Sequence, residues 1–136
     1  MAELDYAFLA QWAGVQNDGT LTAVGMSFVR VTAPAPGQVF AFCVAGRIRG
    51  PHDDDAELEI AIEAPAGQLV RVSGALRLTG EGRYSPGRAH SLFAVNTQVP
   101  LVEAGLYTVT VTVGGQVGRV LKFEVGFTDT DAVAVS

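Results

Sequence analysis

The sequence predicts an all-β chain, a single antiparallel β-sandwich of immunoglobulin-like type with about eight strands. Three observations predict it. Glu103-Ala104-Gly105-Leu106-Tyr107 places a Gly two residues before a Tyr, the pattern of a tyrosine corner, whose ring enters the core while its hydroxyl bonds back to nearby backbone. Gly105 and Tyr107 are therefore read as structural. The run Thr108-Val109-Thr110-Val111-Thr112-Val113 alternates with the period of a half-buried strand. Turn signals recur at short, even intervals, among them Asn17-Asp18-Gly19, Pro34-Ala35-Pro36-Gly37, Pro65-Ala66-Gly67, Ser85-Pro86-Gly87 and Gly114-Gly115.

Strands are expected near 4–13, 20–32, 38–48, 56–64, 68–79, 90–98, 106–113 and 117–126. In the first, Leu4, Tyr6, Phe8, Ala10 and Trp12 fit a period of two, while Leu4, Phe8, Leu9 and Trp12 also fit one helical face; the aromatic content favours a strand. The third is apolar on both faces through Val44, so it wants cover on both sides or faces an oligomer partner. The fourth sends Leu58, Ile60 and Ile62 inward and Glu57, Glu59 and Glu63 outward. The fifth alternates Leu69, Arg71 and Ser73 with Val70, Val72 and Gly74. In the last hairpin, Tyr107, Val109, Val111 and Val113 share one face, and so do Leu121, Phe123 and Val125. Opposed residues share a face, so a three-residue loop, Gly114-Gly115-Gln116, sets Val109 against Leu121 and Tyr107 against Phe123; a two-residue Gly turn needs a bulge at Gly118 to do the same. One domain over 1–126 results. The tail 127–136 is either frayed or an added edge strand, in this chain or a neighbour.

The net charge of −5 and the scattered Arg residues argue against a nucleic-acid partner. Charged residues are 17% of the chain, against roughly 25% in average soluble domains. Hydrophobic residues are 49%. A small domain hides such an excess poorly, so an exposed apolar patch and self-association are expected, or another protein partner. Trp12, Phe127, Val133 and Val135 are the interface candidates. The N-terminal segment lacks a basic stretch and no apolar run has membrane-spanning length, so a cytoplasmic protein with no membrane partner is expected. The single cysteine, Cys43, lies in an apolar strand and reads as a buried small hydrophobe.

No catalytic or cofactor signature emerges. Asp53-Asp54-Asp55, with Glu57, is a weak calcium candidate, because three adjacent side chains do not converge on one ion without a special loop. His52 and His90 lack partners at metal-ligand spacing and read as surface or edge residues. Ser91 follows His90, but strand neighbours point to opposite faces, so they form no dyad. Trp12, Tyr6, Tyr84, Phe93 and Phe127 could line a small-ligand or glycan groove, though packing is the commoner use of such residues. Loops 49–56 and 80–89 are where a site assembled from distant segments would lie.

Asp5-Tyr6-Ala7-Phe8-Leu9-Ala10, Asp18-Gly19-Thr20-Leu21, Val24-Gly25 and Ala33-Pro34 occur in one order. Phe93-Ala94-Val95-Asn96, Pro100-Leu101, Gly105-Leu106-Tyr107 and Leu121-Lys122-Phe123-Glu124-Val125 follow. Together they resemble a family of small bacterial all-β proteins known as domain of unknown function 6941. The resemblance spans nearly the whole chain and departs at Gln11-Trp12 and after Val125. It implies a cytosolic β-sandwich and brings no catalytic residues. The expected role is a non-enzymatic structural or protein-interaction module that self-associates and needs no cofactor; the alternative is a small-ligand, glycan or calcium-binding module.

Overall fold

The computed structural model describes residues 2–78 and 88–128. It holds strands β1 (Glu3–Val15), β2 (Leu21–Met26), β3 (Arg30–Ala33), β4 (Gln38–Pro51), β5 (Asp55–Glu63), β6 (Leu69–Arg77), β7 (Arg88–Leu101), β8 (Gly105–Val113) and β9 (Gln116–Phe127). They form two sheets, in the orders β2-β1-β4-β7 and β3-β9-β8-β5-β6. Between them lies one core, in which Leu9, Phe42, Val44 and Ile48 of the first sheet meet Ile60, Ile62, Val109, Val111 and Phe123 of the second. The chain is an immunoglobulin-like sandwich. Its tyrosine corner is formed as expected: Tyr107 is fully buried, stacks on Phe123 with ring centres 5.4 Å apart, and its hydroxyl donates to the Glu103 carbonyl at 2.9 Å.

Among the described residues nine strands appear where eight were expected, because the segment 20–32 breaks in two. Gly25, near the end of β2, and Ser27, just past it, have φ of 64° and 58°, left-handed values that interrupt an extended run. The break lets the chain leave the first sheet after β2 and join the second as β3. Phe28 anchors the crossing, edge-on to Phe42 and Phe123 at 5.9 and 5.6 Å. Consequently β3 runs parallel to β9, the one departure from an otherwise antiparallel pairing among the described strands.

β1 is a strand, but its inward face differs from the simple alternation. The register against β4 shifts between Leu4 and Tyr6, so Asp5 is an inserted bulge residue. Leu4, Ala7 and Leu9 therefore pack against the core, while Tyr6 and Phe8 turn outward. On that outer side Asp5 accepts hydrogen bonds from Arg47, whose guanidinium lies 5.4 Å from the Tyr6 ring centre, and pairs with Arg49 at 3.2 Å. The mixed strand and helix signature of this segment is the trace of that extra residue.

The last hairpin opposes Val109 to Leu121 and Tyr107 to Phe123, as expected, but not through the three-residue loop. The turn is Gly114-Gly115 alone, with φ of 59° and 81°, the left-handed pair a two-residue turn requires. The register then slips between Val111 and Thr112, leaving Gly118 as the bulge that restores the facing. A Cβ at Gly118 would come within 2.7 Å of the Leu4 Cβ, so the bulge also makes room for β1.

The chain itself supplies the second cover expected for β4. Ala45 and Cys43, on the outer face of the first sheet, are 0% and 2% exposed. They cluster with Ala10 and Ala13, against which Phe8, Leu21, Ala23 and Ala94 pack. The Cys43 Sγ lies 3.9 Å from the Ala13 carbonyl oxygen and donates to Asn96 Oδ1 at 2.8 Å. The small side chains let the β1–β2 hairpin lie close over the outer face. This absorbs part of the apolar surplus within one copy.

Candidate functional site

The most distinctive surface is the flank where β7, at the edge of the first sheet, faces β6, at the edge of the second. Sheet edges present unpaired backbone N–H and C=O groups, and soluble proteins blunt them with short strands, charges, proline or bulges. Among the described strands, three of the four edges are blunted. β3 has four residues. β2 has six and is followed at once by the Ser27 break. β6 carries Arg71 and Arg77, which pair with Glu59 at 3.4 Å and Asp55 at 3.2 Å on its neighbour.

β7 differs. It pairs with β4 along all fourteen residues, and among the described residues no strand pairs with its other side. From Ala89 to Leu101 it carries no Asp, Glu, Lys or Arg, and Pro100 stands only near its end.

Beside this edge lies a cleft of about 280 Å³. Its inner wall is Leu58, Ile60, Val72 and Leu76. Leu92 to Val95 of β7 form its floor, and Val15, at the tip of β1, reaches it from the outer side. Among the described residues, Ser73 is the one side chain with a polar group in the lining. Small-molecule sites generally combine an apolar wall with several placed polar groups; this cleft offers chiefly apolar surface and a backbone edge.

A family model described as a family of unknown function, DUF6941, matches residues 5–126. The chain belongs to that family. No curated protein matches it. Among solved structures it is similar to the alkylpurine DNA glycosylase AlkC of Pseudomonas fluorescens, bound to DNA containing an abasic site analogue. The identity is 10% and the TM-score 0.49; the match covers 91% of this chain and 30% of that one. It is also similar to an immunoglobulin-like protein from Pseudomonas aeruginosa, at 15% identity and a TM-score of 0.46, over 93% of this chain and 97% of that one.

The residues singled out by sequence fall in several places on this DUF6941 domain. Trp12 is 48% exposed on β1, opposite Val24, itself 55% exposed. Phe127 closes β9, half-buried against the core. Val133, Val135 and Tyr84 lie outside the described residues, as does most of the 80–89 loop. Phe93 is core rather than groove lining alone, at 3% exposure. Tyr6 stacks on Phe8 with ring centres 6.4 Å apart. The aromatic set is therefore not one groove.

Asp53, Asp54, Asp55 and Glu57 are not brought together. Asp55 pairs with Arg77, and Asp53 lies 3.2 Å from His52 Nδ1. Among the described residues no group of three His, Cys, Asp or Glu side chains is placed to hold a metal ion. His90 is half-buried on β7, opposite Arg49. The β7 edge escaped the sequence reading. Its uncharged run was legible, but the same run suits a central strand, and only the sheet order makes it an edge.

Proposed function

We propose that this chain is a non-enzymatic structural or interaction module that associates with copies of itself. The observation that carries the reading is the long, uncharged, single-sided β7 edge beside an apolar cleft. Leaving such an edge open favours pairing with another extended chain, which main-chain hydrogen bonds would hold and alternate side chains would select. The low charge of the whole chain supports the same reading, because hairpin cover accounts for only part of the apolar surplus. Light scattering after gel filtration over a dilution series tests it. The expected result is a mass above the 14.2 kDa of one chain, falling towards it on dilution. A single-chain mass at every concentration overturns the reading.

A further inference from the structure

We propose that the β6–β7 cleft receives residues 132–135 of a second copy as an added strand on the β7 edge. The inference rests on the self-association reading and names its contact. The cleft has a backbone edge as its floor and side-chain walls on either side, which suits one extended segment better than the edge of a whole sheet. Its two sides differ. The inner wall is large and apolar, with unfilled volume beside Ile60, Val72 and Leu76. The outer side is close, formed by Val15 and Ala94.

Ala132-Val133-Ala134-Val135 matches this asymmetry. In a strand its two valines share one face and its two alanines the other. Val133 and Val135 would enter the inner void, and Ala132 and Ala134 would lie against the outer side. That continues the small-residue face of Ala10, Cys43, Ala45 and Ala94. The segment 79–87, Thr-Gly-Glu-Gly-Arg-Tyr-Ser-Pro-Gly, is also close in sequence to β7. Its three glycines, proline and charges give it neither the apolar alternation nor the strand preference the cleft needs.

Reach decides between the two copies. β9 ends at Phe127, opposite Ala33, at the same end of the sandwich as Leu101 and Gly105. The tail of the same copy would cross three strand spacings to reach the β6 flank, about 14 Å, and then follow β7 for the six residues from Leu101 to Val95, about 20 Å. The straight line across these two legs is about 24 Å, whereas the five steps from Phe127 to Ala132 span about 17 Å when fully extended. The apolar run of the same copy therefore stops short of the cleft, and a neighbouring copy supplies it. Reciprocal exchange closes a two-fold dimer.

The test compares solution masses of three full-length chains: wild type, V133D/V135D, and G74K, which sets a charge at an exposed β6 position that lines the cleft and shares the inward face of Leu58, its partner on β5. The tail variant changes none of the described residues, and its melting transition is read beside its mass. The proposal expects a wild-type dimer and a fall to single-chain mass in both variants, with melting transitions retained. A V133D/V135D chain that keeps the wild-type mass overturns the tail as occupant, and a G74K chain that keeps it overturns the cleft as receiver; in either case self-association stands. A wild type that is monomeric throughout overturns both.

Discussion

Replacing Gly46 by Ala tests how tightly β1 is laid against β4. Gly46 pairs with Ala7 on one side and Phe93 on the other. A Cβ there would lie 2.1 Å from the Tyr6 carbonyl oxygen and 2.9 Å from the Ala7 Cα. Ordinary carbon–oxygen contact is about 3.3 Å, so β1 has to withdraw by about 1.2 Å. That exceeds the tolerance of N–H···O bonds, whose donor–acceptor range is about 2.7–3.2 Å. Losing two ladder bonds at about 1 kcal/mol each, with overpacking at about 1–3 kcal/mol, gives a destabilisation of about 3–5 kcal/mol. For a domain of this size the melting temperature should fall by about 10–20 °C. Calorimetry or near-ultraviolet circular dichroism reads the transition. Gly74→Ala is the control, because a Cβ there meets nothing within 4 Å. Equal melting of the two variants would refute the close-approach argument.

Three further outcomes are expected. Tyr107→Phe removes the hydroxyl that donates to the Glu103 carbonyl and should cost about 1–2 kcal/mol in urea unfolding without changing the fold; an unaltered midpoint would contradict the corner's role. Cys43, 2% exposed beneath the β1–β2 hairpin, should react with an aromatic disulfide reagent only as fast as the hairpin opens, and freely in 6 M guanidinium or its equivalent, about the concentration that unfolds even very stable domains; fast native labelling would show that the hairpin does not cover it. The Thr20 hydroxyl and amide both donate to Asp18, and hold its carboxyl below the ordinary 3.8. Since its folded value is the lower, this contribution to stability is present above the unfolded value and is lost as pH falls through the folded one. Asp18→Asn should flatten the acid limb of the stability profile below about pH 4, and an identical limb in both proteins would contradict the turn's contribution.

The fold was legible where one local signal fixes one geometry. Gly105 and Tyr107 specify a corner, and the alternation of Leu58, Ile60 and Ile62 with glutamates specifies a half-buried strand. It was less legible where one residue reverses the facing of its neighbours. The Asp5 bulge turns Tyr6 outward, and period-two counting reads through such an insertion. Gly118 acts in the same way, and its bulge decides between two loop lengths that give the same Val109–Leu121 pairing. The crossing at Gly25–Ser27 depends on backbone angles that a run such as Thr20–Thr32 does not advertise, because Val24, Phe28 and Val31 all favour strands. For the candidate site, composition announced surplus apolar surface but not its place. Cys43 and Ala45 proved to be covered by the chain's own hairpin. The β7 edge takes its meaning from the absence of a paired neighbour among the described strands, a property of sheet order.

The most direct test of the account is amide hydrogen exchange along β7 at low and high protein concentration. Amides in residues 89–99 that do not bond to β4 point to the open edge. If a second copy adds a strand there, those amides should exchange markedly more slowly at high concentration, in an alternating pattern strongest at Leu92–Val95, while the β2, β3 and β6 edges stay unchanged. Equal rates at both concentrations would contradict the claim that this edge is where copies meet.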